Sequence, residues 1–339
     1  MTLVDEFLRE RGGGFALDGL DAGWSTVLVT PWWHASRHVV ALVYSHRDGR
    51  MVAVLKLPRR PGDDGGIRTE AESLRLLAQI SPGAAERGPR VLALTRFRGI
   101  QLLAETAVRG EMFGPEMVRR DAIRAEKAGI ALVRSLPLTA SPADDPGWFV
   151  RLLERPLLAA VEMTDGREPV RSAVEATLAA VEPLRSVPIP LVFEHGDLSH
   201  PNLVRRPDGE LAAIDWERSE ARGLPLHDLS FLLQYLAEAR AGVFDLQGRC
   251  GVFDGAFLGG RAWARTPLLD ELHRLSLPPG LLAPLVLSAW ARSAVGLLPR
   301  LWAHGGSVSS EEVVASFERE RDYVLWRHVV ARVGALAAS

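Results

Sequence analysis

The residues best suited to chemistry lie in two segments, HGDLSHPN (195–202) and IDW (214–216). Between them, LVRRPDGELAA predicts strand, turn and strand, with PDG supplying the reversal. Because a hairpin brings its two ends together, Asn202 and Asp215 should lie side by side at its open end. Magnesium prefers such oxygen donors and completes its shell with phosphates and water, so these two residues form a predicted magnesium site. Asp197, earlier in the same loop, is then free to accept a proton from an attacking hydroxyl.

Lysine usage supplies a second, independent signal. The chain has 40 Lys and Arg residues, of which only Lys56 and Lys127 are lysines. Lys56 lies inside the apolar segment VAVLKLP, where a charge is costly unless a partner or ligand compensates it, and a compact ammonium suits phosphate oxygens. In the helix that follows, Glu70 shares a face with Leu74 and Leu77, which makes it the predicted counter-ion. The alternative is a lysine that snorkels from an edge strand.

The elements that must position these residues fall into two parts. The Val-rich runs WSTVLVT, HVVALVY and MVAVLKLP, then PRVLALTRFRG and IQLLAETAV, predict about five antiparallel strands, and IRTEAESLRLLAQI predicts one helix among them. These elements form a first lobe, residues 1–106. From Pro115 the spacing of apolar residues becomes helical, beginning with EMVRRDAIRAEKAGIALVRSL. The second lobe, 107–339, is predicted to be mainly helical, with a Gly-rich interruption at GRCGVFDGAFLGGR.

Composition restricts the class of protein. The chain has 339 residues, a formal net charge of -2 and a hydrophobic fraction of 47%. A near-neutral charge argues against a basic nucleic-acid or membrane-surface protein, and the apolar fraction supports a large core. A single cysteine, Cys250, excludes an internal disulfide and fits a reducing cytoplasm. Acidic Asp5 and Glu6 stand where a signal peptide is basic, and the apolar stretch 281–302, interrupted by arginines, predicts a buried helix. We therefore expect a cytoplasmic protein with no nucleic-acid or membrane partner.

The motifs resemble those of the aminoglycoside phosphotransferases and their choline-kinase-like relatives, which share the protein-kinase fold, over about residues 20–240. HGDLSHPN resembles the catalytic loop of that family, IDW its metal-binding aspartate and VAVLKLP its phosphate-binding lysine strand. TEAESLRLL resembles the helix with the paired glutamate, and HDLSFLL, with Asp228, the helix that supports the catalytic loop. The resemblance implies an α+β bilobal protein-kinase-like fold, with a small antiparallel sheet and one helix in the first lobe and a mainly helical second lobe.

Roles follow from this resemblance as expectations. Asp197 is the catalytic base, Asn202 and Asp215 hold Mg²⁺, Lys56 contacts the nucleotide phosphates and Glu70 orients Lys56. His195 braces the loop. LLAETAVRGEM resembles the segment joining the lobes, whose main chain binds the purine of ATP, or of GTP; its candidates are Glu105, Thr106, Ala107 and Val108. The nucleotide-covering turn, TPWWHASRH, has no glycine and leaves Ser36 as a candidate phosphate contact.

The implied reaction moves a γ-phosphate to a hydroxyl of a small molecule: a sugar, amino sugar or nucleoside-type natural product, antibiotics included. Acidic and basic residues after Pro225 are nearly balanced, so a polycationic antibiotic is not implied. Residues 251–260 are a candidate mobile acceptor loop.

Two alternatives stay open. A metal-dependent hydrolase would use His195, Asp197, His200, Asp215 and His227 as ligands, but it leaves Lys56 and Glu70 without a role. A nucleotide-binding pseudokinase would lack turnover, although every expected catalytic position is filled.

Overall fold

The computed structural model of the chain describes residues 2–15, 17, 19–30, 36–258, 262–305 and 309–338. Its strands, in chain order, are β1 Trp24–Val29, β2 His38–Ser45, β3 Met51–Pro58, β4 Val91–Phe97, β5 Ile100–Thr106, β6 Glu111–Met112, β7 Leu138–Ala140, β8 Leu191–Glu194, β9 Leu203–Arg205, β10 Leu211–Ala213 and β11 Glu220–Gly223. Its helices are α1 Leu3–Arg11, α2 Gly65–Ile80, α3 Pro82–Ala85, α4 Pro115–Arg120, α5 Ala122–Ser135, α6 Arg155–Met163, α7 Val170–Val181, α8 His227–Ala241, α9 Leu246–Phe253, α10 Arg265–Arg274, α11 Leu282–Val295, α12 Leu298–Gly305, α13 Ser310–Phe317 and α14 Arg321–Ala338.

The chain divides into two compact units. The first is Met1–Met112 with Asn202–Ser219, and the second is Phe113–Pro201 with Glu220–Ser339. These units differ from the expected lobes, 1–106 and 107–339, because the predicted hairpin belongs with the first unit. The reason is local pairing: β6 pairs with β9 through Glu111 opposite Arg205, and Lys56 of β3 bonds to Asp215 just beyond β10.

Within its described residues, the first unit contains a five-stranded antiparallel sheet in the order β1-β2-β3-β5-β4. Alternate side chains of a strand point to opposite faces. Leu55 therefore joins Phe7 of α1 in one apolar cluster, whereas Leu103 of β5 joins Ile67 of α2 in another, on the opposite face. One helix covers each face. The predicted α+β class, with a small antiparallel sheet and α2 packed on it, is confirmed.

The predicted hairpin forms as β9 and β10. Leu203 pairs with Ala213, and the turn closes with the Arg206 N–H donating to the Glu210 carbonyl at 2.8 Å. Gly209 has φ +88°, the left-handed region that glycine enters without a steric penalty. The PDG segment thus reverses the chain, as the sequence predicts.

The second unit is mainly helical, and one local expectation about it was wrong. The helical segment predicted over 116–136 is helical and consists of two helices, α4 and α5, because the Asp121 side chain accepts the Arg124 N–H at 3.0 Å and begins a new helix. The Gly-rich interruption is helical through α9 and a following π-turn, Asp254–Leu258. Asp245 caps α9, and buried Phe253 and Phe257 stack at 4.4 Å, so most of the expected mobile loop is packed; residues 259–261 lie outside the described residues.

The long apolar stretch behaves as predicted. Residues Pro279–Ala303 are long and apolar enough to cross a membrane by length and composition alone, yet 89% of the qualifying window is buried inside the protein. The stretch is divided between α11 and α12 at Gly296 and Leu297. We interpret α11 as a core helix of the second unit, with Trp290 at its centre fully buried.

Candidate active site

The first unit positions Lys56 between two carboxylates. Nζ of Lys56 lies 2.8 and 2.6 Å from the two carboxylate oxygens of Glu70, and 2.6 Å from Oδ1 of Asp215. Lys56 sits on the β3 face that α2 covers, since its neighbours Leu55 and Leu57 point to the other face. Glu70 also accepts the Trp216 N–H at 2.9 Å, which ties α2 to the residue after Asp215. The contact expected between Lys56 and Glu70 is present.

Burial and the neighbouring charges have opposite effects on the pKa values of Lys56 and Glu70. Burial disfavours the charged form of Lys56, but the carboxylates of Asp215, Glu70 and Glu105 outweigh it and hold the pKa of Lys56 well above its ordinary value. Burial raises the pKa of Glu70 to about 7, against the lowering effect of Lys56. One ammonium therefore faces more carboxylates than it can neutralise.

Glu105 is the group that the sequence did not place in this cluster. Glu105 lies in β5, opposite Val54 of β3 and on the same sheet face as Lys56, and its side chain is buried. Its Oε1 is shielded from solvent and accepts no hydrogen bond from any described residue. Burial, and then the charge of Glu70, raise the pKa of Glu105 well above its ordinary value. An acidic residue inside the apolar segment LLAET indicates a buried carboxylate, whereas the sequence-based prediction gave only the main chain of Glu105 a role, in purine binding.

The predicted purine-binding segment is partly occupied by sheet hydrogen bonds. The Thr106 N–H donates to the Arg90 carbonyl at 2.9 Å, and the Ala107 N–H donates to the Val52 carbonyl at 3.2 Å. Both donors are therefore already used. Val108, the next residue, forms no peptide hydrogen bond with the described residues, so its N–H is the better-placed donor of the segment.

The hairpin places Asn202 and Asp215 at its open end, as predicted. The Ile214 N–H donates to the Asn202 carbonyl at 2.9 Å, one position beyond the last β9–β10 pair. Asp215 follows with φ +69°, a left-handed conformation that aspartate tolerates better than most residues, and its side chain is 40% exposed. A carboxylate and a carboxamide oxygen fit Mg²⁺. No group of three His, Cys, Asp or Glu residues able to hold a metal occurs among the described residues.

The loop that carries Asp197 belongs to the second unit and is fixed by α8. Asp228 accepts the His195 N–H at 2.7 Å and the Gly196 N–H at 2.9 Å. Burial and then the nearby Glu194 raise the pKa of Asp228 to about 7, although both N–H donors lower it. His195 is buried, and its Nδ1 accepts the Asp197 N–H at 3.3 Å. Asp197 itself is partly exposed.

A buried ion pair supports the same loop, and the sequence did not predict it. Arg292 of α11 donates from Nη1 and Nη2 to the two carboxylate oxygens of Glu194, at 2.6 and 2.8 Å. Arg292 Nη1 also lies 3.4 Å from Nδ1 of His227, and His227 Nε2 lies 3.4 Å from the Gly196 carbonyl. An arginine inside the apolar run 281–302 was the signal, because a buried guanidinium requires a partner.

The expected nucleotide-covering turn is mostly outside the described residues, which omit 31–35. Ser36, the candidate phosphate contact, is described: its carbonyl accepts a hydrogen bond from Nη1 of Arg59 at 3.3 Å.

The fold and the lysine–glutamate–aspartate cluster define a protein-kinase-like phosphotransferase. A model of the phosphotransferase enzyme family matches residues 32–275, so the chain belongs to this family. No curated protein sequence matches the chain.

Solved structures are similar in fold. A thermostable mutant of aminoglycoside phosphotransferase APH(4)-Ia, in complex with ADP and hygromycin B, matches with 13% identity and a TM-score of 0.59, covering 100% of both chains. Plasmodium vivax ethanolamine kinase matches with 9% identity and a TM-score of 0.54, covering 98% of this chain and 87% of that one. Aminoglycoside 2'-phosphotransferase-IIIa, in its GDP complex, matches with 14% identity and a TM-score of 0.54, covering 97% and 98%.

Proposed function

We propose that the chain is a small-molecule kinase that transfers the γ-phosphate of ATP or GTP to a hydroxyl of a sugar, amino sugar or nucleoside-type natural product. The observation that carries this proposal is the Lys56 ammonium held between Glu70 and Asp215 at 2.6 to 2.8 Å. A buried ammonium with fixed orientation is suited to phosphate oxygens. Two of the similar proteins were solved with ADP and GDP, which supports a nucleotide as donor.

Each residue of the site has a distinct role in this proposal. Lys56 binds phosphate oxygens, and Glu70 keeps its ammonium directed away from the sheet. Asn202 and Asp215 would hold Mg²⁺, which supplies neutralisation of the developing phosphate charge. The Val108 N–H binds the purine edge. Asp197 accepts the proton of the acceptor hydroxyl, on a loop whose backbone Asp228 fixes.

Asp197→Asn tests the base. The amide cannot accept the hydroxyl proton, so we expect phosphate transfer to fall by about a hundred- to ten-thousand-fold while nucleotide affinity is kept. The assay incubates a panel of hydroxylated compounds with ATP or GTP and Mg²⁺ and measures by mass the gain of one phosphate. Asp270→Asn, an exposed aspartate on α10, is the matched control. Near wild-type turnover by Asp197→Asn would contradict the assigned role.

A second pair of variants tests the proposed metal ligands. Asp215→Ala should abolish Mg²⁺-dependent transfer, whereas Asn202→Ala should weaken it in a way that additional Mg²⁺ partly restores, because a neutral oxygen contributes less than a carboxylate. Thermal melting of both variants controls for loss of the Lys56–Asp215 contact. Full activity of Asp215→Ala would show that this hairpin end does not bind the metal.

A further inference from the structure

The start of α2 packs against a contact between two side chains of the first unit that are distant in sequence. Nδ1 of His38, the first residue of β2, lies 3.1 Å from Oε2 of Glu217, and the two side chains are only 6% and 11% exposed. Polar groups that are removed from water interact more strongly than they do at the surface. The contact therefore holds the start of β2 against the segment that follows Asp215.

Gly66, in the first turn of α2, lies directly on this contact. A Cβ placed on Gly66 would lie 2.8 Å from Oε2 of Glu217 and 3.0 Å from Cε1 of His38, so a side chain here would have to displace the carboxylate. Gly66 is buried, whereas the adjacent Gly65 is exposed and a Cβ placed on it would meet no atom within 4 Å. We call the three residues in contact, His38, Gly66 and Glu217, the α2 anchor.

Glu217 also brings to α2 a negative charge that the first turn of the helix lacks. No acidic residue lies in the first turn of α2, and its N-cap residue, Asp64, makes no side-chain capping hydrogen bond. A carboxylate beside the first turn of a helix interacts favourably with the unpaired N–H groups and the dipole of the helix. The position of Glu217 against Gly66 therefore stabilises this end of α2.

The anchor lies one helical turn before the residue that contacts Lys56. Gly66 and Glu70 are four positions apart and share one face of α2. Glu70 accepts the Trp216 N–H at 2.9 Å, and Glu217 is the next residue along the chain. Two consecutive residues of one segment thus fasten α2 at two successive turns. Because a helix is a rigid element over so short a distance, a shift at Gly66 reaches Glu70.

We propose that His38 and Glu217 are positioning residues for the phosphate-binding lysine: through Gly66 they fix α2 in the orientation at which Glu70 reaches Lys56. Both residues act through α2 and not by touching the nucleotide. The inference rests on the proposed function for the phosphate role of Lys56, whereas the link from the anchor to Lys56 lies within the first unit alone. Loss of the anchor should give a folded chain that holds Lys56 less firmly and binds nucleotide more weakly.

The small number of lysines makes this link measurable. The chain has only two, so protein labelled with carbon-13 at lysine Cε gives two side-chain NMR signals, and Lys127→Arg identifies the one from Lys56. Spectra of the full chain are recorded without nucleotide. His38→Leu and Glu217→Ala should move the Lys56 signal toward that of Lys127, which is exposed, and leave the Lys127 signal unchanged. His38→Asn should keep the wild-type spectrum, because its amide nitrogen reaches the position of Nδ1.

The adjacent glycines of α2 provide a matched pair. Gly66→Ala should displace the Glu217 carboxylate and move the Lys56 signal as Glu217→Ala does, whereas Gly65→Ala, into open space, should leave the signal unchanged. When Gly66→Ala and Glu217→Ala are combined, the group to be displaced is absent, so their effects should not add. Melting curves of every variant establish that the spectra report the folded protein.

The affinities of the same proteins for ATP and for GTP, each with Mg²⁺, are measured by calorimetry. The nucleotide that the wild type binds should bind about tenfold more weakly to His38→Leu and Glu217→Ala, as expected for the loss of a contact that orients a binding group. Gly65→Ala should bind it normally.

The inference is overturned if the Lys56 signal or the nucleotide affinity is unchanged in both His38→Leu and Glu217→Ala, or if Gly65→Ala and Gly66→Ala have equal effects. An unmoved Lys56 signal together with normal nucleotide binding by the wild type refutes the anchor alone. A wild type that binds neither nucleotide refutes the proposed function, and a Lys56 signal that still moves in the variants then supports the positional link by itself.

Discussion

Replacing Glu105 with glutamine removes one carboxyl from the group around Lys56 while keeping its size. Glu105 is buried on the same sheet face as Lys56, and burial followed by the charge of Glu70 raises its pKa well above its ordinary value. The folded protein therefore keeps a proton on Glu105 at a pH where the unfolded chain has released it. Glu105→Gln should leave the fold intact and change how stability depends on pH.

The sign and size of the effect follow from proton linkage. An unfolded glutamate releases its proton near pH 4.5. Above that pH the folded wild type binds one more proton than the unfolded chain, so its free energy of unfolding falls as the pH rises toward the folded pKa. Glutamine does not titrate. The variant should therefore gain stability relative to the wild type as the pH rises, at a rate of at most about 1.4 kcal/mol per pH unit for the one proton.

The assay is urea unfolding of both proteins, without nucleotide, at intervals from pH 5 to pH 8. Glu70, whose pKa burial raises to about 7, interacts with Glu105 by charge, so the difference between the two proteins reports the titration of this pair. Glu72→Gln is the matched control, because it removes the same carboxyl from an exposed position on the helix that carries Glu70. A difference for Glu105→Gln that is flat, or that shrinks as the pH rises, would refute the reasoning.

Two further pairs of variants test the packing and the nucleotide contact. Lys56→Arg should lose most phosphate transfer, because the broader guanidinium displaces Glu70 or collides with phosphates. Lys127→Arg should leave phosphate transfer unchanged. Equal activity of the two variants in paired assays would leave Lys56 without a phosphate role. Gly129→Ala in α5 should cost about 1–3 kcal/mol, since its Cβ would lie 2.6 Å from Leu232. Gly251→Ala in α9, with open space around it, should stabilise by about 0.4–1 kcal/mol; thermal melting of both variants distinguishes these outcomes, and equal melting temperatures would contradict the packing argument.

Much of the candidate site follows from local sequence. A hairpin of a few residues determines that Asn202 and Asp215 meet, because a turn fixes which residues face each other. Strand alternation and helix periodicity likewise direct Lys56 and Glu70 toward each other from adjacent elements. The α+β class follows from the same periodicities, summed over the chain.

Tertiary structure decided the contacts whose partners are distant in sequence. Glu194 and Arg292 are 98 residues apart, and no local pattern indicates which buried arginine meets which buried carboxylate. The burial of Glu105 depends on β3, β4 and α2 closing around β5. The local sequence therefore does not distinguish Glu105 from an exposed acidic residue in a strand. Arg321 likewise joins Phe231 and Trp290 only because α8, α11 and α14 pack together. Short-range geometry fixes which groups face each other, whereas long-range packing determines which of them lose water, and the loss of water sets their pKa values and their unmet hydrogen bonds.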